Sequence, residues 1–266
     1  MPLAGTLYAA THKNYYRYEG GQRWTCFARA PHGITQTHAL QTVGGKLWAG
    51  TWPQGYVLRY EGDDAWVNTG RLGIPEGLRE INEINDLVVH NGKLYAGVIP
   101  KAQVWRYESD GHWSLMASLA SRPDYAEAEV HSWCRVPTFA SFRGRLFAAT
   151  GACISRAVDV DPDGTLGRVY AIDLGQGVSH DHDIGGEWTH IAAVRQGKEL
   201  RLYVNGERAA SSQAPPGHTF DLTNTRPLTI GFGAQGHFAG TIGDVRVYEG
   251  VLAASEVREI RGAAGR

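Results

Sequence analysis

Short apolar runs that alternate with polar residues, each opened by a glycine, recur along the first 174 residues. Gly5-Thr6-Leu7-Tyr8-Ala9-Ala10-Thr11 returns as Gly45-Lys46-Leu47-Trp48-Ala49-Gly50-Thr51 and Gly92-Lys93-Leu94-Tyr95-Ala96-Gly97-Val98, then as Gly144-Arg145-Leu146-Phe147-Ala148-Ala149-Thr150. The leucine sits at 7, 47, 94 and 146, at spacings of 40, 47 and 52 residues. A second run follows each: Tyr15-Tyr16-Arg17-Tyr18-Glu19, Val57-Leu58-Arg59-Tyr60-Glu61, Val104-Trp105-Arg106-Tyr107-Glu108 and Val169-Tyr170-Ala171-Ile172. A turn and a tryptophan close the first three copies, at Trp24, Trp66 and Trp113. Alternation of this length predicts strands, not helices.

The third copy shows the unit most fully. Asp86 to His90 reads as strand one, Asn91-Gly92 as a turn, Lys93 to Val98 as strand two and Gln103 to Glu108 as strand three. Asp110-Gly111 turns again, and His112 to Ala117 reads as strand four. Four strands in a period of about 40–50 residues predict β-propeller blades, whose recurring Leu, Tyr and Trp are first of all core between neighbours. The first copy opens on a second-strand equivalent and is expected to lack its inner strand. The copies resemble kelch-like and sialidase-like blades, and Ser109-Asp110-Gly111-His112-Trp113 resembles the Asp-box turn of sialidases.

The pattern changes near residue 175. From Trp188 to Val194 both alternating sets are apolar, which predicts a strand covered on both faces. Gln196-Gly197-Lys198 is a polar turn. Leu200, Leu202 and Val204 alternate with Arg201 and Tyr203, predicting one dry face and one mixed face. Asn205-Gly206 is a type I′ hairpin signal, and Glu207 to Ser211 would return as a third strand. This segment, with Pro227-Leu228-Thr229-Ile230-Gly231, Phe238 to Tyr248 and Leu252-Ala253-Ala254-Ser255-Glu256-Val257, resembles the LamG-like jelly-roll family of concanavalin A-like sandwiches. The resemblance covers about the last third of the chain and implies a sandwich closed by a short helix.

The expected chain is therefore all-β: a partial β-propeller of about four blade-like repeats over 1–174, then half of a LamG-like jelly roll over 175–266. A halved sandwich leaves edges and faces open. It is expected to pack on the propeller, or to be completed by further sequence or by a second copy.

Composition narrows the function. The 266 residues carry a net charge of −1 with no basic stripe, so nucleic acid is not an expected partner. No apolar run reaches the roughly 20 residues of a membrane-spanning helix. The N-terminus has neither the basic start nor the apolar stretch of a signal peptide. An extracellular or periplasmic place is implied only by the family resemblance. Cys26, Cys134 and Cys153 form neither a disulfide framework nor a zinc spacing, and are expected to pack as small apolar residues.

Candidate chemistry lies in loops. The fourth copy carries an insertion with Asp159-Val160-Asp161-Pro162-Asp163-Gly164. Asp159, Asp161 and Asp163 have the spacing of the front half of a calcium loop, although the twelfth position is Tyr170 and supplies no bidentate carboxylate. Asp244 stands where the LamG-like family usually has a carboxylate pair, the first member being Gly243 here; the resemblance implies calcium in that region, so the missing partner weakens the implication. His180 and His182 would share a face of a strand, with no further metal ligand nearby.

The propeller loops bring aromatic rings beside polar groups: Trp52 after the second strand of copy two, Arg79 and Glu83 in the next connection, Glu129, His131 and Trp133 in the one after. Rings that stack on sugar faces and acids that accept hydrogen bonds from hydroxyls are what a carbohydrate site needs. Trp52, Arg79, His131 and Trp133 are the candidate ligand-binding residues; blade-capping tryptophans are the structural alternative. A glycosidase would need two facing carboxylates, for which Glu83 and Glu129 are the pair. No phosphate loop, nucleophile elbow or zinc-protease helix occurs. The reading preferred on sequence is a non-catalytic recognition module for carbohydrate or another extracellular surface ligand. A glycoside hydrolase or sialidase-like enzyme and a protein-binding scaffold are the alternatives.

Overall fold

The computed structural model describes residues 1–31, 33–77, 82–119, 134–151, 167–172, 177–214, 225, 227–234 and 236–264. It is an all-β chain with one helix among these residues. Three antiparallel four-stranded meanders come first. The first comprises β1 (Pro2–Leu3), β2 (Thr6–Ala10), β3 (Asn14–Gly20) and β4 (Arg23–Arg29). The second comprises β5 (Gln36–Val43), β6 (Lys46–Trp52), β7 (Tyr56–Gly62) and β8 (Ala65–Arg71). The third comprises β9 (Glu83–His90), β10 (Lys93–Ile99), β11 (Gln103–Ser109) and β12 (His112–Ser118), matching the strands expected from sequence to within a few residues. The three-stranded sheet β13 (Thr138–Phe142), β14 (Arg145–Ala149) and β15 (Val169–Ile172) follows.

Each copy opens on the same device. Ala4-Gly5, Gly44-Gly45, Asn91-Gly92 and Arg143-Gly144 join the first two strands, and all eight residues have positive φ. Two consecutive left-handed residues make the type I′ turn whose twist matches a hairpin. The recurring glycine that opens each sequence copy is the second turn residue. The first copy is not without an inner strand, as its sequence suggested. Pro2 and Leu3 pair with Leu7 and Thr6, because the Ala4-Gly5 turn folds even two residues back on β2.

Two compact units are present: Met1–Ala140 with Phe147–Ala171 and Thr229–Ala239, and Ser141–Leu146 with Ile172–Leu228 and Gly240–Arg266. In the first, successive meanders pack face to face. Tyr15, Ala28, Ile34, Ala49 and Leu58 form one buried cluster, joined by Phe27, Tyr60 and Trp66. A second gathers Trp48, Val57, Ile84, Leu87, Leu94, Ala96, Val98 and Trp113. Close approach requires glycine at one register position. A Cβ on Gly50 would lie 2.5 Å from Ile84 Cγ2, and one on Gly97 would lie 2.7 Å from the Val136 carbonyl oxygen. Polar clamps accompany the packing. Arg59 forks onto Asp110 at 2.7 and 3.0 Å, and Asp86 accepts from the amides of Leu87 (2.8 Å) and Phe139 (2.7 Å). The short hairpin β19 (Phe232–Gly233) and β20 (Gly236–His237) also belongs here, the Ala234 carbonyl accepting from Gly44 N.

The second unit is built on β16 (Ile191–Gln196), β17 (Glu199–Val204) and β18 (Glu207–Gln213). Asn205 and Gly206 both have positive φ, completing the expected type I′ turn, and Asn205 Oδ1 accepts from His190 N at 3.1 Å. The helix α1 (Ala254–Ala264) covers one face. Glu256 reaches back to the Ala253 amide at 2.6 Å, half of a capping box. Val257 packs with Val194 and Tyr203.

Two sequence expectations fail in this sheet. The strand starts at Ile191, not Trp188, and only one face is covered: Val194 is 8 % exposed and Ile191 53 %. The buried face of β17 is that of Tyr203, not that of Leu200, Leu202 and Val204, which stay half-buried. The helix supplies the apolar cover, and it lies on the Val194–Tyr203 side. The cysteines divide as well: Cys134 is buried as expected, Cys26 is exposed on β4, and Cys153 lies outside the described residues.

Candidate functional site

The most developed polar constellation among the described residues lies at one rim of the first unit, where β5, β6 and β9 meet. Asn82 fixes the rim. Its side chain is wholly buried, accepts from Ile74 N at 2.9 Å and donates to Ile74 O at 3.1 Å, and its amide donates to Pro53 O at 2.6 Å. This last bond joins the residue after Trp52 to the residue before Glu83. Trp52, half-buried, pairs with Gln36 at the start of β5, and Glu83 pairs with Ile99.

Glu83 is a buried carboxylate. Asn85 Nδ2 donates to its Oε1 at 2.5 Å, His38 Nδ1 stands 3.2 Å from that oxygen, and Arg135 Nη1 lies 3.7 Å away. His38 is the extra residue of a bulge in β5, where the register shifts between Thr37 and Ala39. A bulge re-aims one side chain off the pleat, and here it accompanies the approach of the imidazole to Glu83. The carboxylate, buried beside a guanidinium and an amide donor, is held in one orientation.

Three buried polar atoms at this rim have no hydrogen-bond partner: Thr35 Oγ1, Gln54 Oε1 and Asn85 Oδ1. Gln54 donates through Nε2 to Gly33 O at 3.0 Å, and Thr35 N donates to Trp52 O at 3.1 Å, which places both beside the tryptophan. An unmet buried polar atom costs about 1–3 kcal/mol, and a ligand that supplied a partner would recover that cost.

Of the residues singled out by sequence, the structure brings Trp52 and Glu83 to this rim. Arg79, Glu129, His131 and Trp133 lie outside the described residues, as do Asp159, Asp161 and Asp163 of the calcium-like loop. Asp244 is exposed and engaged by Arg246 at 3.0 and 2.5 Å. Among the described residues no group of three or more His, Cys, Asp or Glu is placed to hold a metal ion. His180 and His182 lie edge to face at 5.3 Å in an irregular segment, not in a strand. Asp181 between them accepts from Arg143 N and Ser179 Oγ, which hold its carboxyl below the ordinary range. Sequence reasoning missed His38, Gln54, Asn85 and Arg135. The glutamate was visible as a loop acid and Asn85 follows it two residues on, but His38 and Arg135 come from segments distant in sequence.

Comparison with known proteins gives three results. A family model described as concanavalin A-like lectin/glucanases superfamily matches residues 126–258, half of the chain. The match takes in β13–β15 as well as the β16–β18 sheet, and so reaches further towards the N-terminus than the residues that carried the resemblance. No curated protein matches. Among solved structures, an S-layer domain-containing protein from Clostridium thermocellum ATCC 27405 (its residues 221–444) is 13 % identical. The likeness covers 96 % of this chain and 98 % of that one at a TM-score of 0.21, too loose a superposition to carry an argument.

Proposed function

This chain belongs to the concanavalin A-like lectin/glucanases superfamily, and from that premise we propose that it is a non-catalytic recognition module for carbohydrate or another extracellular surface ligand. The repeated meanders are proposed as blades of a partial propeller, with the ligand received at the Trp52–Glu83 rim. The observation that carries the reading is the set of unpartnered buried atoms on Thr35, Gln54 and Asn85 beside a half-buried tryptophan and a fixed carboxylate. Sugar hydroxyls would donate to the unmet oxygens and to Glu83, while the Trp52 ring would stack on a C–H face. Arg79, His131 and Trp133 complete the proposed contact set, and calcium at Asp159, Asp161 and Asp163 is proposed as a structural ion of the insertion in the fourth copy.

The test is a glycan array run with calcium and with a chelator, followed by calorimetry on the best ligand. Trp52→Ala is expected to lower affinity about tenfold, equivalent to about 1.4 kcal/mol. Glu83→Gln, which keeps the shape and removes the charge, is expected to weaken binding of hydroxyl donors without unfolding the sheet. Silence on the array in both conditions, or wild-type affinity in Trp52→Ala, would defeat the proposal. Cleavage of a bound glycan would move the reading to the glycoside hydrolase alternative, with Glu83 and Glu129 as its acids.

A further inference from the structure

The buried side-chain atoms without a hydrogen-bond partner, among the described residues, divide by place and by kind. Trp66 Nε1 in β8 and His190 Nδ1 before β16 are nitrogens. Those at the Trp52–Glu83 rim, on Thr35, Gln54 and Asn85, are all oxygens.

The two amides are held in one orientation. Gln54 Nε2 donates to the Gly33 carbonyl at 3.0 Å, and Asn85 Nδ2 donates to Glu83 Oε1 at 2.5 Å. A carbonyl and an ionised carboxylate only accept, so a flipped amide would set oxygen against oxygen. Gln54 Oε1 and Asn85 Oδ1 are therefore the ends left open, and both are acceptors. Thr35 Oγ1 accepts or donates by rotating its hydrogen. The cationic groups nearby face the carboxylate: His38 Nδ1 and Arg135 Nη1 stand 3.2 and 3.7 Å from Glu83 Oε1. The three oxygens are out of contact with solvent while their residues are half-buried, so the group that meets them is a small one entering from the rim.

We propose that this rim selects its glycan by hydrogen-bond donors. It takes a sugar that presents hydroxyls or an ammonium, and it rejects one that presents a carboxylate or a sulfate at the same position. The inference rests on the recognition reading above and narrows it to neutral or amino sugars. An anionic group brought to Gln54 and Asn85 would oppose oxygen with oxygen where no water intervenes. A site whose buried polar groups are left unpaired, or opposed, discriminates strongly against such an analogue.

The experiment is a glycan array that carries each backbone in hydroxyl, amino, uronic and sulfated form. Binding is expected on hydroxyl or amino forms and about tenfold weaker or absent on the uronic and sulfated forms of the same backbone. The hydroxyl and amino arms tell the two kinds of donor apart. Two variants then test the oxygen. Gln54→Met removes the acceptor and is expected to lower affinity about tenfold. Gln54→Glu keeps an acceptor and is expected to retain hydroxyl forms and to bind amino forms more tightly. Both lose the bond to Gly33, so a difference between them reports the oxygen and not a loss of structure. Uronic or sulfated forms bound as well as their neutral parents, or equal affinities in the two variants, overturn the donor rule and leave the recognition reading standing. Silence of every form overturns the recognition reading, and the donor rule with it.

Discussion

Ile84 of β9 and Ile191 of β16 sit in strands of the same kind and end in opposite environments. Ile84 is fully buried, wedged over Gly50 where a Cβ could not fit. Ile191 is more than half exposed, because the sheet β16–β18 receives cover from α1 on the Val194–Tyr203 side. In the first unit a neighbouring meander covers each internal face. In the second, the described residues cover one. Apolar alternation is a request for a partner, and whether it is met depends on what else is in place.

The difference can be broken by substitution. Gly50→Val is expected to have the largest effect, since the added atoms meet Ile84 within van der Waals contact; a loss of about 3 kcal/mol or more, read as a fall in the denaturant midpoint of the first unit, is expected. Ile84→Ala should cost about 2–5 kcal/mol in the same transition, whereas Ile191→Ala should cost well under about 1 kcal/mol. Equal losses at the two isoleucines would mean that the second sheet has its other face covered in solution. Asp86→Ala would strand the amides of Leu87 and Phe139 and is expected to cost about 1–3 kcal/mol.

The smallest effect is a pH dependence of the first unit. Burial holds the His90 imidazole below its ordinary value. The unfolded side chain takes up a proton near about pH 6.5, the folded one only at lower pH. The unfolded state therefore binds more protons in that window, and stability falls as pH falls through it. The denaturant midpoint should be level above about pH 7 and decline on acidification, with His90→Gln flattening the decline. Asp110 acts at more acid pH: Arg59 and Tyr107 hold its carboxyl down, so its contribution is full above the unfolded carboxylate value and is lost below it. An unaltered slope in His90→Gln would place the titrating group elsewhere.

Local chemistry was readable from residue order. The four type I′ turns, the meander strands and the Asn205-Gly206 hairpin depend on φ preferences and alternation within a few residues. Family membership was legible for a similar reason, since the polar turn, the Leu-Tyr-Val run and Asn-Gly-Glu follow one another directly. Glu83 and Trp52 could be named as candidates from their surroundings in the chain. Their distant companions could not: His38 comes from β5 and Arg135 from beyond the third meander, and nothing in their own neighbourhoods marks them.

What residue order determined on its own is the strand, the turn and the alternation, because backbone sterics and side-chain period act between near neighbours. The fold in three dimensions decided which of two apolar faces is dry, that Tyr203 and not Leu202 is the buried residue of β17, and that a bulge at His38 accompanies its approach to Glu83. Those outcomes depend on groups far apart in the chain, whose meeting is set by the packing of whole sheets and a helix.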